Sequence, residues 1–349
     1  MKKRARDLGI IIGGLDPGQN NTIADVDGVG VGHNTLIEGD DIRSGITAIT
    51  PHNGNLFEEK VTAAVDILNG YGKSVGLNQI EFEGSIETPI LLTETLNTFK
   101  VADALIDYMN EGYGFTPRSV NPVVGETNGG FLTNNMRRLV GKDEVFSAIE
   151  AARTSGGRVD EGNVGGGTPM SGYGFKGGIG TSSRKVGDGE IGVLVQLNCG
   201  RKDDLLILGV PVGREIEHDA EPKKAPGNSI MIIVAADVDM ESRQLWKIAK
   251  RTAMGLSRTG SFSSNGSGDF TIAFSTGRID QNDFKKSINE TSKGEGWLNL
   301  LYKATVEATE ESIINALLMA ETMTGYQGNT MYELPHDQTR EILQIYNMI

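Results

Sequence analysis

Apolar positions in this chain recur with two different periods, and the switches between them predict interleaved strands and helices. Residues 20–50 read as short strands and turns, IADVDGVGVGH and then GITAIT. Strand-like runs follow at 61–68 (VTAAVDIL) and 87–93 (ETPILLT). Phe99, Ala102, Leu105, Ile106 and Met109 then recur at helical spacing, with Gly112 as the stop. VNPVVGE (120–126) reads as a short strand entering a glycine turn, and DEVFSAIEAART (143–154) as a second helix with Asp143 near its N-terminus. Residues 155–185 are dominated by glycine, a run too long for an idle loop.

Two further strands are predicted at 191–198 and 204–213. A polar linker, EIEHDAEPKKAPGN (215–228), then stops abruptly at Ser229, which opens the most apolar strand, SIMIIVAADV. Downstream, Leu245, Ile248, Ala249, Thr252 and Leu256 line one face of a helix over 241–256. GDFTIAFST (268–276) is strand-like, and 297–322 forms a long helix or helix pair. The class is mixed α+β, without internal repeats.

Composition narrows the function. Hydrophobic residues make up 38% and charged residues 23% of the 349 positions, as in a globular chain. Glycine occurs 47 times without a period, which excludes collagen and points to tight turns and close backbone approaches. The net charge of −13 and the lack of a basic patch argue against nucleic-acid binding. A single cysteine, Cys199, cannot form an internal disulfide, which is compatible with a reducing cytoplasm. The basic N-terminal lead is interrupted by Asp7 and followed by a glycine-broken apolar run, unlike a signal peptide. No apolar run approaches the ~20 residues of a membrane span.

Several chemistries fail on spacing. His33, His52, His218 and His336 are scattered, without a zinc-type pairing, so no metal is expected. GNVGGG (162–167) follows no convincing strand, and GKS (72–74) lacks the earlier Walker glycine, so both read as structural turns. GKSVG (72–76) matches a nucleophile elbow literally, but LNQIEFEG is a poor helix and no histidine is singled out as base.

Ser229 offers another route. If the bond before it breaks, Ser229 gains a free α-amine, with a pKa of roughly 8 in free peptides. That amine can take the proton from the serine's own hydroxyl, so one residue supplies both nucleophile and base. On spacing alone, a plain loop serine remains the alternative.

The run EGNVGGGTPMSGYGFKGGIGTSSR (161–184) resembles the signature of the DmpA-like family, the L-aminopeptidase/D-esterase and β-peptidyl aminopeptidase enzymes. So do RDLGI (6–10), PVVGET (122–127), GVLVQLNCG (192–200), NSIMIIVAADV (228–238), GLSRTGS (255–261), SGDFTIAFST (267–276) and INALLMAETMTG (314–325). The resemblance spans nearly the whole chain and implies a four-layered αββα sandwich. It also implies a single catalytic domain cut between Asn228 and Ser229 into chains 1–228 and 229–349.

By this resemblance Ser229 is the nucleophile, and Ser267 and Asp269 orient it and help deprotonate it. Asn198 lines the oxyanion hole, where one amide donor is worth roughly 3 kcal/mol. Glu126 receives the substrate's ammonium group. Two departures fall beside these positions: Asn128 where some relatives carry an aromatic, and Glu94 where many read asparagine. Both are candidate substrate-binding residues.

The resulting expectation is a cytoplasmic aminopeptidase or amidohydrolase acting on small peptides, amides or esters with a free amine. It would need no cofactor, and by family analogy would form a homotetramer of cleaved protomers. Acyl transfer and an uncleaved, non-catalytic binding relative are the alternatives.

Overall fold

The computed structural model describes residues 2–112, 116–217, 228–291 and 296–349. In chain order its strands are β1 (Gly30–Glu38), β2 (Ile42–Thr50), β3 (Val61–Gly70), β4 (Ser85–Ile86), β5 (Ile90–Glu94), β6 (Val123–Thr127), β7 (Ser171–Gly172), β8 (Phe175–Lys176), β9 (Gly178–Val186), β10 (Gly189–Asn198), β11 (Ser229–Val238), β12 (Gly268–Ile279), β13 (Met323–Thr324) and β14 (Thr330–Met331). Its helices are α1 (Leu77–Glu83), α2 (Thr98–Gly112), α3 (Lys142–Arg153), α4 (Val212–Glu215), α5 (Ser242–Ala249), α6 (Thr252–Arg258), α7 (Gln281–Thr291), α8 (Trp297–Leu318) and α9 (His336–Ile345).

The long strands form two sheets. One has the order β1-β2-β5-β6, the other β4-β3-β12-β11-β10-β9. Side chains on a strand point alternately to opposite faces, so a strand buried on both sides reads as a continuous apolar run. β11 shows this directly. Met231, Ile233 and Ala235 enter the core between the sheets, where they meet Ile90, Leu92 and Val123. Ile230, Ile232, Val234 and Ala236 enter a separate core beneath α5 and α8. On the far side of the first sheet, Ile46, Ala48 and Leu91 pack on α2 and α3. Three cores in series make four layers, helix–sheet–sheet–helix, as the family resemblance implies.

Glycine sets the distance between layers. A Cβ at Gly32 would lie 2.2 Å from the Ala152 nitrogen of α3, and one at Gly180 would lie 2.0 Å from the Ser312 carbonyl of α8. Both helices therefore ride on strand backbone, where any side chain would push them away. α8 is buried almost all round from Ala304 to Leu318. Its Glu307 and Glu311 lie 3.3 and 2.6 Å from the fully buried Arg184 guanidinium, which keeps these charges paired.

Several predicted elements differ in the structure. Residues 204–213 are not a strand. An isolated Ile207–Val210 bridge is followed by α4, with left-handed backbone at Leu208 and Gly209. Their apolar pattern reflects burial in the core beneath α8, not a ladder. The helix expected over 241–256 is broken into α5 and α6. The 297–322 region is one helix ending at Leu318.

In α2 the buried face is Val101, Ala102, Leu105, Tyr108 and Met109, whereas Phe99 and Ile106 are exposed. Residues 23–25 form a 3-10 turn, and the first strand starts only at Gly30. The second half of the glycine-rich run is strand β9. LNQIEFE does form a helix, α1. No helix among the described residues is long and apolar enough to cross a membrane. Most of the 215–228 linker, including His218, lies outside the described residues.

Candidate active site

Ser229 is the first residue of β11 and sits mid-sheet between two neighbours. Antiparallel pairing places it opposite Asn198, the last residue of β10. Parallel pairing places it opposite Gly268, the first residue of β12. Three strand ends therefore converge on one side chain. The Gly268 N–H donates to Ser229 Oγ at 3.1 Å. A donor on this oxygen favours negative charge there, and the hydroxyl hydrogen stays available for transfer.

The Asn198 amide has a fixed orientation. Its Oδ1 accepts from the Ser171 N–H at 3.0 Å, and its Nδ2 donates to the Asn128 carbonyl at 2.9 Å. A backbone N–H can only donate and a carbonyl can only accept, so the reverse amide orientation is excluded. The second Nδ2 hydrogen makes no hydrogen bond to a described residue.

The loop before β12 closes the other side. Ser267 Oγ donates to Asp269 Oδ1 at 2.6 Å, and Ser263 Oγ donates to Asp269 Oδ2. Burial pushes the Asp269 carboxyl up to about 6, opposed by the Ser267 bond. Neither Ser267 nor Asp269 makes a hydrogen bond to the Ser229 side chain; the link runs through Gly268, which lies between them in sequence. Ser264 Oγ donates to Asn228 Oδ1 at 2.7 Å, so the residue before Ser229 is held by the same loop. The Cys199 thiol beneath is pushed far up by burial and by the charge of Asp269, which leaves it unreactive.

A carboxylate wall stands at the end of the first sheet. Glu126 on β6 is buried, and its Oε1 accepts from the Lys73 N–H at 2.8 Å. The Lys73 ammonium lies 3.9 Å from the same oxygen and donates to Thr95 Oγ1 at 2.9 Å. Gly72, next to Lys73, packs on Phe270, as does Gly268, so this wall adjoins the Ser229 end of β12.

Glu94 is wholly buried behind the wall. One oxygen accepts from the Leu96 N–H at 3.2 Å, and the other makes no hydrogen bond. Burial pushes its carboxyl up to about 8, and the charge of Glu126 adds to the rise. The Asn128 side chain is exposed and turned back to the Gly130 N–H at 2.9 Å. Only its carbonyl meets the site.

The structure thus brings together Ser229, Asn228, Asn198, Ser267 and Asp269, with Glu126 close by and Glu94 behind. Sequence reasoning missed Ser263, Ser171, Lys73 and the Gly268 N–H. Ser263 has left-handed backbone at φ 55°, the kind of detail a run of serines and glycines hides. Lys73 lies in the segment set aside as a failed phosphate loop. That segment does run from strand to helix, but Ser74 Oγ contacts the Met231 sulfur at 3.8 Å, and His33, His52 and His336 bond elsewhere. No group of three or more metal-ligating side chains occurs among the described residues.

Four layers with a serine at the head of a central strand make this an N-terminal-nucleophile hydrolase fold. Residues 21–331 match Peptidase family S58, and the chain belongs to that family. It is 38% identical to the beta-peptidyl aminopeptidase BapA of Sphingosinicella xenopeptidilytica, over 98% of this chain and 91% of the relative. It superposes on a Burkholderia sp. beta-aminopeptidase with a TM-score of 0.88 and 36% identity, covering 98% and 99% of the two chains. The L-aminopeptidase D-Ala-esterase/amidase of Ochrobactrum anthropi, described as a prototype of the serine aminopeptidases, gives a TM-score of 0.86 and 34% identity over 99% of both chains. The protein is accordingly a hydrolase of the aminopeptidase/amidase type.

Proposed function

We propose that the chain cuts itself between Asn228 and Ser229 and then uses Ser229 as an N-terminal nucleophile. The observation that carries this is the placement of Ser229, its Oγ accepting from the Gly268 N–H with the fixed amide of Asn198 on the adjoining strand. In the precursor, Ser229 Oγ attacks the Asn228 carbonyl carbon. The peptide nitrogen leaves as the α-amine of Ser229, giving an ester, and water hydrolyses it. The products are chains of 228 and 121 residues.

In the mature enzyme the α-amine accepts the Oγ proton as Oγ attacks a substrate carbonyl. The free Nδ2 hydrogen of Asn198 meets the developing oxyanion. Ser267, Ser263 and Asp269 hold the Gly268 end of β12, and the Asp269 carboxylate stabilises positive charge nearby. The α-amine passes its proton to the leaving amine, and water releases the acyl group.

Glu126 receives the substrate's ammonium group, which restricts the enzyme to amides or esters of amino acids with a free amine. The names of the relatives support β- as well as α-aminoacyl groups. Asn128 shapes the site through its carbonyl, and Glu94 through its charge state. The family resemblance supports a homotetramer of cleaved protomers in the cytoplasm.

Mass spectrometry of the purified protein, with Ser229→Ala as control, tests the cut. Two fragments that vanish in the variant support it. A cleaved and active Ser229→Ala protein would refute it.

A further inference from the structure

The glycine-rich run is not explained by any role given so far, and its centre holds an unusual group. Lys176 is wholly buried, and no carboxylate lies within ion-pair distance of it among the described residues. Its ammonium donates to three backbone carbonyls instead: Met170 and Gly177 at 2.7 Å each, and Gly167 at 3.2 Å. Three acceptors match the three hydrogens of the charged form. Burial nevertheless pulls the pKa of this ammonium far down. An apolar side chain would avoid that cost, so the charge needs a reason to be there.

The carbonyls it gathers belong to one turn. Gly177 N–H closes that turn on the Met170 carbonyl at 3.1 Å, and β7 pairs with β8, opposing Ser171 to Lys176. The turn lies directly on β10. A Cβ at Gly166 would fall 2.2 Å from Gln196 Oε1, and one at Gly177 would fall 2.7 Å from the Leu197 carbonyl. Tyr173 and Phe175 anchor the turn in the core and Thr168 Oγ1 donates to the Gly165 carbonyl, but the Met170–Ser171 peptide is held at its carbonyl by Lys176. Beside the Tyr173 and Lys176 N–H groups, which donate to the Cys199 and Tyr332 carbonyls, that same peptide presents the Ser171 N–H, which fixes the Asn198 amide at 3.0 Å.

We infer that Lys176 is a positioning residue, an internal cation that holds the 167–177 turn so that the Ser171 N–H aims the Asn198 amide at the Ser229 oxyanion position. Lys176 touches no substrate. It acts through one backbone N–H and one side chain, and rests on the role proposed above for Asn198.

The test is a double-mutant cycle on the mature enzyme with an aminoacyl amide substrate. Lys176→Met should lower kcat by roughly 10- to 100-fold with KM within about twofold, because a misaimed donor is felt in the transition state. In an Asn198→Ala background the same change should cost little more, whereas a purely structural loss would multiply through.

Lys176→Gly opens a cavity lined by three carbonyls. Ammonium ions should restore both kcat and self-cleavage, and tetramethylammonium, too large for the cavity, should not. A folded Lys176→Met protein with wild-type kcat, an equal penalty in the Asn198→Ala background, or a Lys176→Gly protein left inactive by ammonium, folded or not, would overturn the inference. Wild-type kcat in Asn198→Ala alone would instead remove the proposed oxyanion role.

Discussion

Ser229 and Gly268 face each other as the first residues of two parallel strands, and the N–H of one donates to the hydroxyl oxygen of the other at 3.1 Å. The contact depends on strand register. A one-residue slip of β12 would bring another N–H to this place and turn its apolar side chains to the wrong cores.

Ser229→Ala removes the attacking oxygen while keeping the strand. We expect one intact chain of 37.4 kDa on a denaturing gel, with activity lost, and a melting temperature close to that of the wild-type precursor.

Asn198→Ala removes the side-chain amide that strand pairing sets opposite Ser229. We expect kcat to fall by about 10²- to 10³-fold, with KM changing far less, in steady-state assays of aminoacyl amides. Equal losses in kcat and in substrate binding would point to general disruption.

Asp269 accepts two hydroxyl donors, an arrangement suited to the ionised carboxylate, and burial sets its pKa at about 6. Activity should therefore rise as pH increases through about 6, with a further rise nearer 8 as the α-amine of Ser229 loses its proton. Ser263→Ala removes one donor from the charged form and should move the lower limb upward. Asp269→Asn should abolish that limb. A lower limb unchanged in both variants would show that another group sets it.

Glu94 carries a raised pKa, so the native state holds its proton more tightly than the unfolded chain does. Its contribution to stability is fully present below about 4.5 and is lost as pH rises through about 8. Glu94→Gln is neutral at every pH. Compared with this variant, the wild type should lose roughly 5 °C or more in melting temperature between pH 5 and pH 9. Parallel melting curves across that range would contradict the buried, proton-holding carboxyl.

Glu126→Gln keeps the shape and removes the charge. A hydrogen bond to a charged partner contributes about 1.5–3 kcal/mol, so KM for free-amine substrates should rise roughly 10- to 100-fold. Substrates with the amine acylated should be poor for the wild type and unaffected by the change. The comparison of the two substrate classes checks it.

Much of this was legible in the sequence where residue type alone carried the physics. The unbroken apolar run after Ser229 reads as a buried strand, and its abrupt start marked the serine. The long motifs identified the family, and with it the layers and the candidate side chains of the site. Where the pattern misled, burial was the reason. Residues 204–213 are apolar because they fill a core, and hydrophobicity does not record whether a buried segment also has ladder partners.

The sequence by itself determined the mixed α+β class and, through the order of its long motifs, the family that implies four layers and singles out Ser229, Asn198 and Asp269 as candidates, because apolar periodicity and motif order are local properties of the chain. Only the tertiary structure decided that the Gly268 N–H reaches Ser229, that Ser171 and Asn128 orient Asn198, and that Lys176 and Glu94 are shut away from water. The Gly268–Ser229 and Asn128–Asn198 hydrogen bonds join residues 39 and 70 positions apart, and such partners, like the loss of solvent, are set by how the segments pack and not by a local pattern.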